Sequence, residues 1–104
     1  MKEITKDNWR PFHKPAIVFV HTPFCATCQL AEKMLHVLEE ADIDLTIHRM
    51  NASFFPEFMQ KNKIESVPSL LLVKEDVVES RLYAFESVTK LFGVLEDWKQ
   101  KWSI

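Results

Sequence analysis

The chain of 104 residues has the length of one ordinary domain, and 47% hydrophobic with 27% charged residues suits one packed core rather than disorder. A net charge of −2 with no basic stripe excludes the usual footprint of a nucleic-acid binder, and a single glycine excludes the glycine-rich loops that cradle phosphates. No stretch approaches the ~20 apolar residues of a membrane span. The opening MKEITKDNWR lacks the apolar run of a secretory leader, so the location expected is cytoplasmic, where a lone cysteine pair is seldom a structural staple.

In chain order, Ile4 and Thr5 are a candidate edge strand, and Lys6 to Phe12 form a weak helical turn stopped by Pro11 and Pro15. Ala16 to His21 (AIVFVH) is a short apolar run rich in β-branched residues, the pattern of a strand covered on both faces. Thr22-Pro23 breaks it, and Phe24 to Ala41 follows a helical period, with Leu30, Met34, Leu38 and Ala41 on one face and Val37 beside them. Leu45 to Asn51 is a second strand. Ser53 is a candidate cap for a short helix that carries Pro56 in its first turns and runs to about Lys63. Ser69 to Val73 is a third, buried strand, Lys74-Glu75-Asp76 a turn, and Val77 to Ala84 a fourth strand whose mixed polarity puts it near a sheet edge. Ser87 caps a last helix with the apolar stripe Val88, Leu91, Leu95, Trp98 and Trp102. Strands and helices nearly alternate, which favours parallel pairing. The short third turn demands an antiparallel hairpin, so the expectation is an α/β fold: a central mixed sheet of four to five strands flanked by helices on both faces, in a single domain over 1–104.

Cys25-Ala26-Thr27-Cys28 stands where the first buried strand hands over to the first long helix. A helix N-terminus offers unpaired N–H groups and the positive end of the helix dipole, both of which favour a thiolate. The thiol of Cys25 is therefore expected below the range of a free cysteine, and the thiolate is the attacking form. Cys28, three residues on, is a helical neighbour able to attack a mixed disulfide formed on Cys25.

The stretch VFVHTPFCATC resembles the strand and C-x-x-C helix of the thioredoxin superfamily. Val67-Pro68-Ser69-Leu70-Leu71-Leu72, with its proline 40 residues after Cys28, is similar to that family's cis-proline segment, and Arg49-Met50-Asn51 to the end of its second strand. The likeness covers almost the whole chain. It implies a thioredoxin fold and a thiol–disulfide oxidoreductase in which Cys25 is the nucleophile and Cys28 the resolving thiol, with no cofactor. It also implies a cis Pro68 facing the two sulfurs, and a Val67 backbone free to pair with an extended substrate segment. Phe24 takes the place of a tryptophan that shields the pair. The partners implied are disulfide-containing proteins and an electron donor, a thioredoxin reductase or another dithiol protein, with the chain acting as a monomer.

Several residues depart from the family pattern. Ala26-Thr27 replaces Gly-Pro, and no histidine lies between the cysteines, which points away from the strongly oxidising members and toward a reducing disulfide. Phe19 stands where thioredoxins bury the aspartate that deprotonates the resolving thiol, so Cys28 must resolve slowly or borrow a base from elsewhere. Lys33 replaces a helix-kinking proline, and near Phe85 a surface glycine is missing.

Other readings compete with this one. Structural zinc needs four ligands, and only His21 and His36 accompany the cysteines, at awkward spacing, so no metal site is expected. A glutathione-dependent, glutaredoxin-like reductase fits Thr22-Pro23-Phe24-Cys25, but KEDVVESR lacks the glycine pair that holds glutathione. A non-catalytic adaptor docking partners at Pro68 is the third reading. Arg49 is read as pairing with a nearby acid, His48 as a strand residue, and Trp9, Trp98 and Trp102 as packing.

Overall fold

A computed structural model describes residues 1–104. Five strands form one mixed sheet: β1 (Lys2–Ile4), β2 (Ala16–His21), β3 (Ile47–Asn51), β4 (Ser69–Lys74) and β5 (Val77–Leu82), in the order β1-β3-β2-β4-β5. β3 runs parallel to both β1 and β2, while β4 is antiparallel to β2 and β5. The helices are α1 (Ala26–Ala41), α2 (Pro56–Lys61) and α3 (Val88–Trp102). This is the expected mixed sheet with helices on both faces.

The two central strands, β2 and β4, are the two continuous apolar runs of the sequence, and from Ile17 to His21 and Ser69 to Val73 every residue is buried. Alternation along each strand sorts their side chains to two faces. Ile17, Phe19, Leu70 and Leu72 pack with Ala31 and Leu35 of α1 and Leu91, Leu95 and Trp98 of α3. Val18, Val20, Leu71 and Val73 pack on the other side with Phe55, Phe58 and Ile64, and Trp9 and Phe12 close over them.

Some local expectations give way to packing. The buried residues of α1 are Cys28, Ala31 and Leu35, while Leu30 is 57% exposed. The helix turns toward the sheet the face that carries the cysteine, one position round from the richest apolar stripe. Lys6 to Phe12 form a turn and an irregular segment, with Asn8 and Thr5 hydrogen-bonded reciprocally. Ser53 caps nothing: it sits inside a 3₁₀ turn over Ala52–Phe54, whose cap is the Asn51 side chain accepting from the Ser53 N–H at 2.9 Å. Ser87 does cap α3, accepting from the Lys90 N–H at 3.1 Å. In the β4–β5 turn Glu75 and Asp76 both hold positive φ, 50° and 68°, the pattern of a two-residue hairpin whose twist matches the strands it joins.

Candidate active site

Right-handed connection of parallel β2 to β3 sends α1 back along the sheet, so the start of α1 and the end of β2 share one rim. Thr22 to Cys25 alone span the gap between them. Cys25 is the N-cap of α1, with extended backbone (φ −114°, ψ 102°), and its sulfur accepts from the Cys28 N–H at 3.1 Å. No acidic residue lies in the first turn of α1 to oppose negative charge there. The Thr27 hydroxyl stands 3.4 Å from the same sulfur. Cys25 and Cys28 are joined in a disulfide with Cα atoms 5.2 Å apart; Cys25 is partly exposed and Cys28 buried. Of the two sulfurs, an approaching partner can therefore reach that of Cys25 and not that of Cys28.

The Val67–Pro68 peptide is cis, as the resemblance implies. It precedes β4, and the register pairs Val20 with Ser69, so one step further brings Pro68 beside the last residue of β2. That sets it on the same rim as the cysteine pair. Val67 and Pro68 are both partly exposed. Phe24 does not shield the sulfurs: its φ is 59° and its ring is fully exposed, leaving an apolar side chain standing in solvent next to Cys25. Phe85, where a surface glycine was missed, turns inward and meets Phe19 edge to face at 6.0 Å.

Arg49 keeps the structural role read for it. Its Nε donates to Glu32 and its Nη1 to Glu3, both at 2.8 Å, tying α1 and β1 to β3. For Glu32, burial pushes the carboxyl up, but the hydrogen bond and charge of Arg49 outweigh it and hold the group below its ordinary range. His36 sits on the exposed side of α1 against Glu32 and Glu39.

His21 is the residue that sequence reasoning missed except as a metal ligand. Only 6% of it is exposed, its ring stacks on Phe19 at 6.0 Å, and its Nε2 is buried without a partner. Burial foremost, then the charge of Arg49, lowers its pKa from the ordinary histidine value, against the pull of Glu3, Glu32 and the Thr22 backbone. The signal in the sequence was a lone titratable residue ending an otherwise apolar buried strand.

Comparison with known proteins agrees with the geometry. The thioredoxin family model matches residues 2–97. The chain is 42% identical over 80 residues to the thioredoxin-like protein YusE of Bacillus subtilis (strain 168), covering 77% of this chain and 76% of that protein. Among solved structures, a mutant thioredoxin of Halobacterium salinarum superposes with a TM-score of 0.68 at 15% identity, over 83% of this chain and 75% of the other. Mitochondrial thioredoxin 3 of Saccharomyces cerevisiae in its oxidised form gives 0.67 at 15% identity, over 82% and 79%. At such identities these two likenesses concern the fold alone.

Proposed function

This chain belongs to the thioredoxin family, and on that premise we propose that it is a protein-disulfide reductase working as a monomeric domain over 1–104 in a reducing, cytoplasmic setting. The family and the bonded cysteine pair support thiol–disulfide oxidoreductase chemistry in general. The narrower reading rests on one observation: a partly exposed sulfur at the start of α1, taking the N–H of a buried second cysteine one turn in.

In the reduced protein the Cys25 thiolate attacks a substrate disulfide, forming a mixed disulfide and expelling one substrate thiolate. The Cys28 thiol then loses its proton and attacks the Cys25 sulfur. The bond from Cys25 to the substrate breaks, the second substrate thiolate leaves, and the two electrons lost by the cysteines appear as the substrate dithiol. A reductase or another dithiol protein restores the pair. Exposed Phe24 and the backbone of Val67, beside Pro68, offer an apolar contact and strand-like hydrogen bonds to an extended substrate segment.

Reduction of insulin by dithiothreitol tests this. The wild-type chain accelerates it, and Cys25→Ser abolishes the acceleration without unfolding the protein. A potential near about −270 mV agrees with a reductant, while one above about −180 mV overturns that assignment. Activity only with glutathione favours the glutaredoxin-like reading, and partner binding that survives Cys25→Ser favours the adaptor.

A further inference from the structure

Cys28 is buried, and a buried thiol holds its proton more tightly than a free one. Before it can attack, that proton must go to something, and the position at which thioredoxins place an aspartate holds Phe19, wholly buried among apolar side chains. Two residues further along β2, on the same face of the sheet, stands His21.

The register of α1 over β2 sets the alignment. Phe19 packs in one cluster with Ala31 of α1. From Ala31 back to Cys28 the helix advances about 4.5 Å toward the rim, and from Phe19 to His21 the strand advances about 6.6 Å in the same direction. His21 and the buried first turn of α1 are therefore brought to the same level, with only Thr22 to Cys25 between the two elements. Nε2 of the His21 ring is buried without a hydrogen-bond partner, an arrangement that costs stability and leaves the atom free to take a proton.

We propose that His21 is the proton acceptor for Cys28 in the resolving step, resting on the reading of Cys28 as the resolving thiol. The Cys28 S–H gives its proton to Nε2, the thiolate closes the Cys25–Cys28 bond, and the departing substrate thiolate takes up a proton from solvent or from the imidazolium. The charged groups that bear on the ring are Arg49 from β3, Glu3 from β1 and Glu32 from α1, with the Thr22 backbone at the strand end. Burial and Arg49 keep the imidazole neutral at neutral pH, the form that accepts a proton.

A free thiol of pKa about 8.5 is already about 3% thiolate at pH 7, and a buried one less, so full assistance to Cys28 is worth at least about 30-fold at that pH. The experiment uses Ellman's aromatic disulfide and reduced protein in stopped flow. One thionitrobenzoate leaves when Cys25 attacks, at a rate proportional to reagent, and a second leaves when Cys28 resolves, at a rate independent of it. His21→Phe, which keeps the stacking on Phe19, is expected to slow the second phase at least about 10-fold at pH 7, to leave the first within about twofold, and to approach the wild type as pH rises through the titration of Cys28. An unchanged second phase overturns the proposal. Absence of any second phase in the wild type instead sinks the resolving role of Cys28. A measurement free of the variant's folding is the NMR titration of the His21 ring in the reduced wild type and in Cys28→Ser. A second inflection that disappears in Cys28→Ser supports the coupling, and identical curves overturn it.

Discussion

The two faces of the sheet are built from different materials. On the side of α2 the packing is aromatic: Trp9 meets Phe12, Phe55 and Phe58 at 5.9, 5.6 and 5.5 Å between ring centres. On the side of α1 and α3 the core is mostly aliphatic around Phe19 and Trp98, and at the rim it becomes polar, with His21 buried and the Arg49–Glu32–Glu3 clamp beside it. Both faces stabilise the fold, and both carry titratable groups, His48 against Phe12 and Lys61 with Asp76 on the aromatic side, but only the second carries the cysteine pair. Substitutions on the aromatic side should thus alter how much protein is folded, whereas those on the other should alter what the folded protein does.

The largest expected effect probes the aromatic side. Phe58 is nearly buried and meets Trp9 edge to face, with their planes at 78°. Phe58→Ala should cost about 3–4 kcal/mol in urea unfolding, through lost burial and the cavity left behind, while the alkylation rate of reduced Cys25 in the folded fraction stays as in the wild type. Leu35→Ala on α1, wholly buried, should cost about as much and also change that rate, because α1 carries Cys25 at its end. Equal effects of the two variants on thiol reactivity would erase the contrast between the faces.

A smaller effect distinguishes the faces by pH. Glu32 has a folded pKa below the 4.5 of its unfolded state, so it adds stability at pH above 4.5 and loses it as pH falls through the folded value. Glu32→Gln should cost about 1 kcal/mol at pH 7, the scale of a partly exposed ion pair with good hydrogen bonds, and the difference from wild type should shrink toward pH 3. His21 works in the opposite part of the range. Its folded pKa lies below 6.5, so the unfolded chain takes up a proton first as pH falls below 6.5, and stability declines there until the folded ring also titrates. Denaturation curves across pH for Glu32→Gln, wild type and Phe58→Ala should show pH slopes altered only in the first.

What the sequence made legible follows the same division. The buried strands were readable because AIVFVH and SLLLV are apolar on both faces, and the cysteine pair because its position after a strand and before a helix is local in the chain. The orientation of α1 was not, since Leu30 and Val37 are apolar yet more than half exposed, and the apolar stripe of the sequence is wider than the face that packs. The role open to His21 depends on Arg49, Glu32 and Glu3, which only the sheet register and the helix crossing bring near it. Asn51 rather than Ser53 acts as a cap because a separate 3₁₀ turn over Ala52–Phe54 follows β3, and α2 starts only at Pro56, with Phe55 at its N-cap.

The last test is the finest, because it touches no packing at all. Thr27 is exposed, and its hydroxyl is 3.4 Å from the Cys25 sulfur. In the reduced protein that hydroxyl can donate to the thiolate alongside the Cys28 N–H, and a hydrogen bond to the charged form favours it. Thr27→Val keeps the shape and the β-branch, so the helix start is disturbed little, but the donor is lost. Cys25 should then titrate at higher pH, and its alkylation by iodoacetamide at pH 7 should slow about two- to threefold, an effect of less than 1 kcal/mol. The unfolding midpoint should hardly move. A fall in stability without a change in the thiol's titration would mean that Thr27 belongs to the helix cap alone, and that on this face too the side chains around the sulfur serve the fold before the reaction.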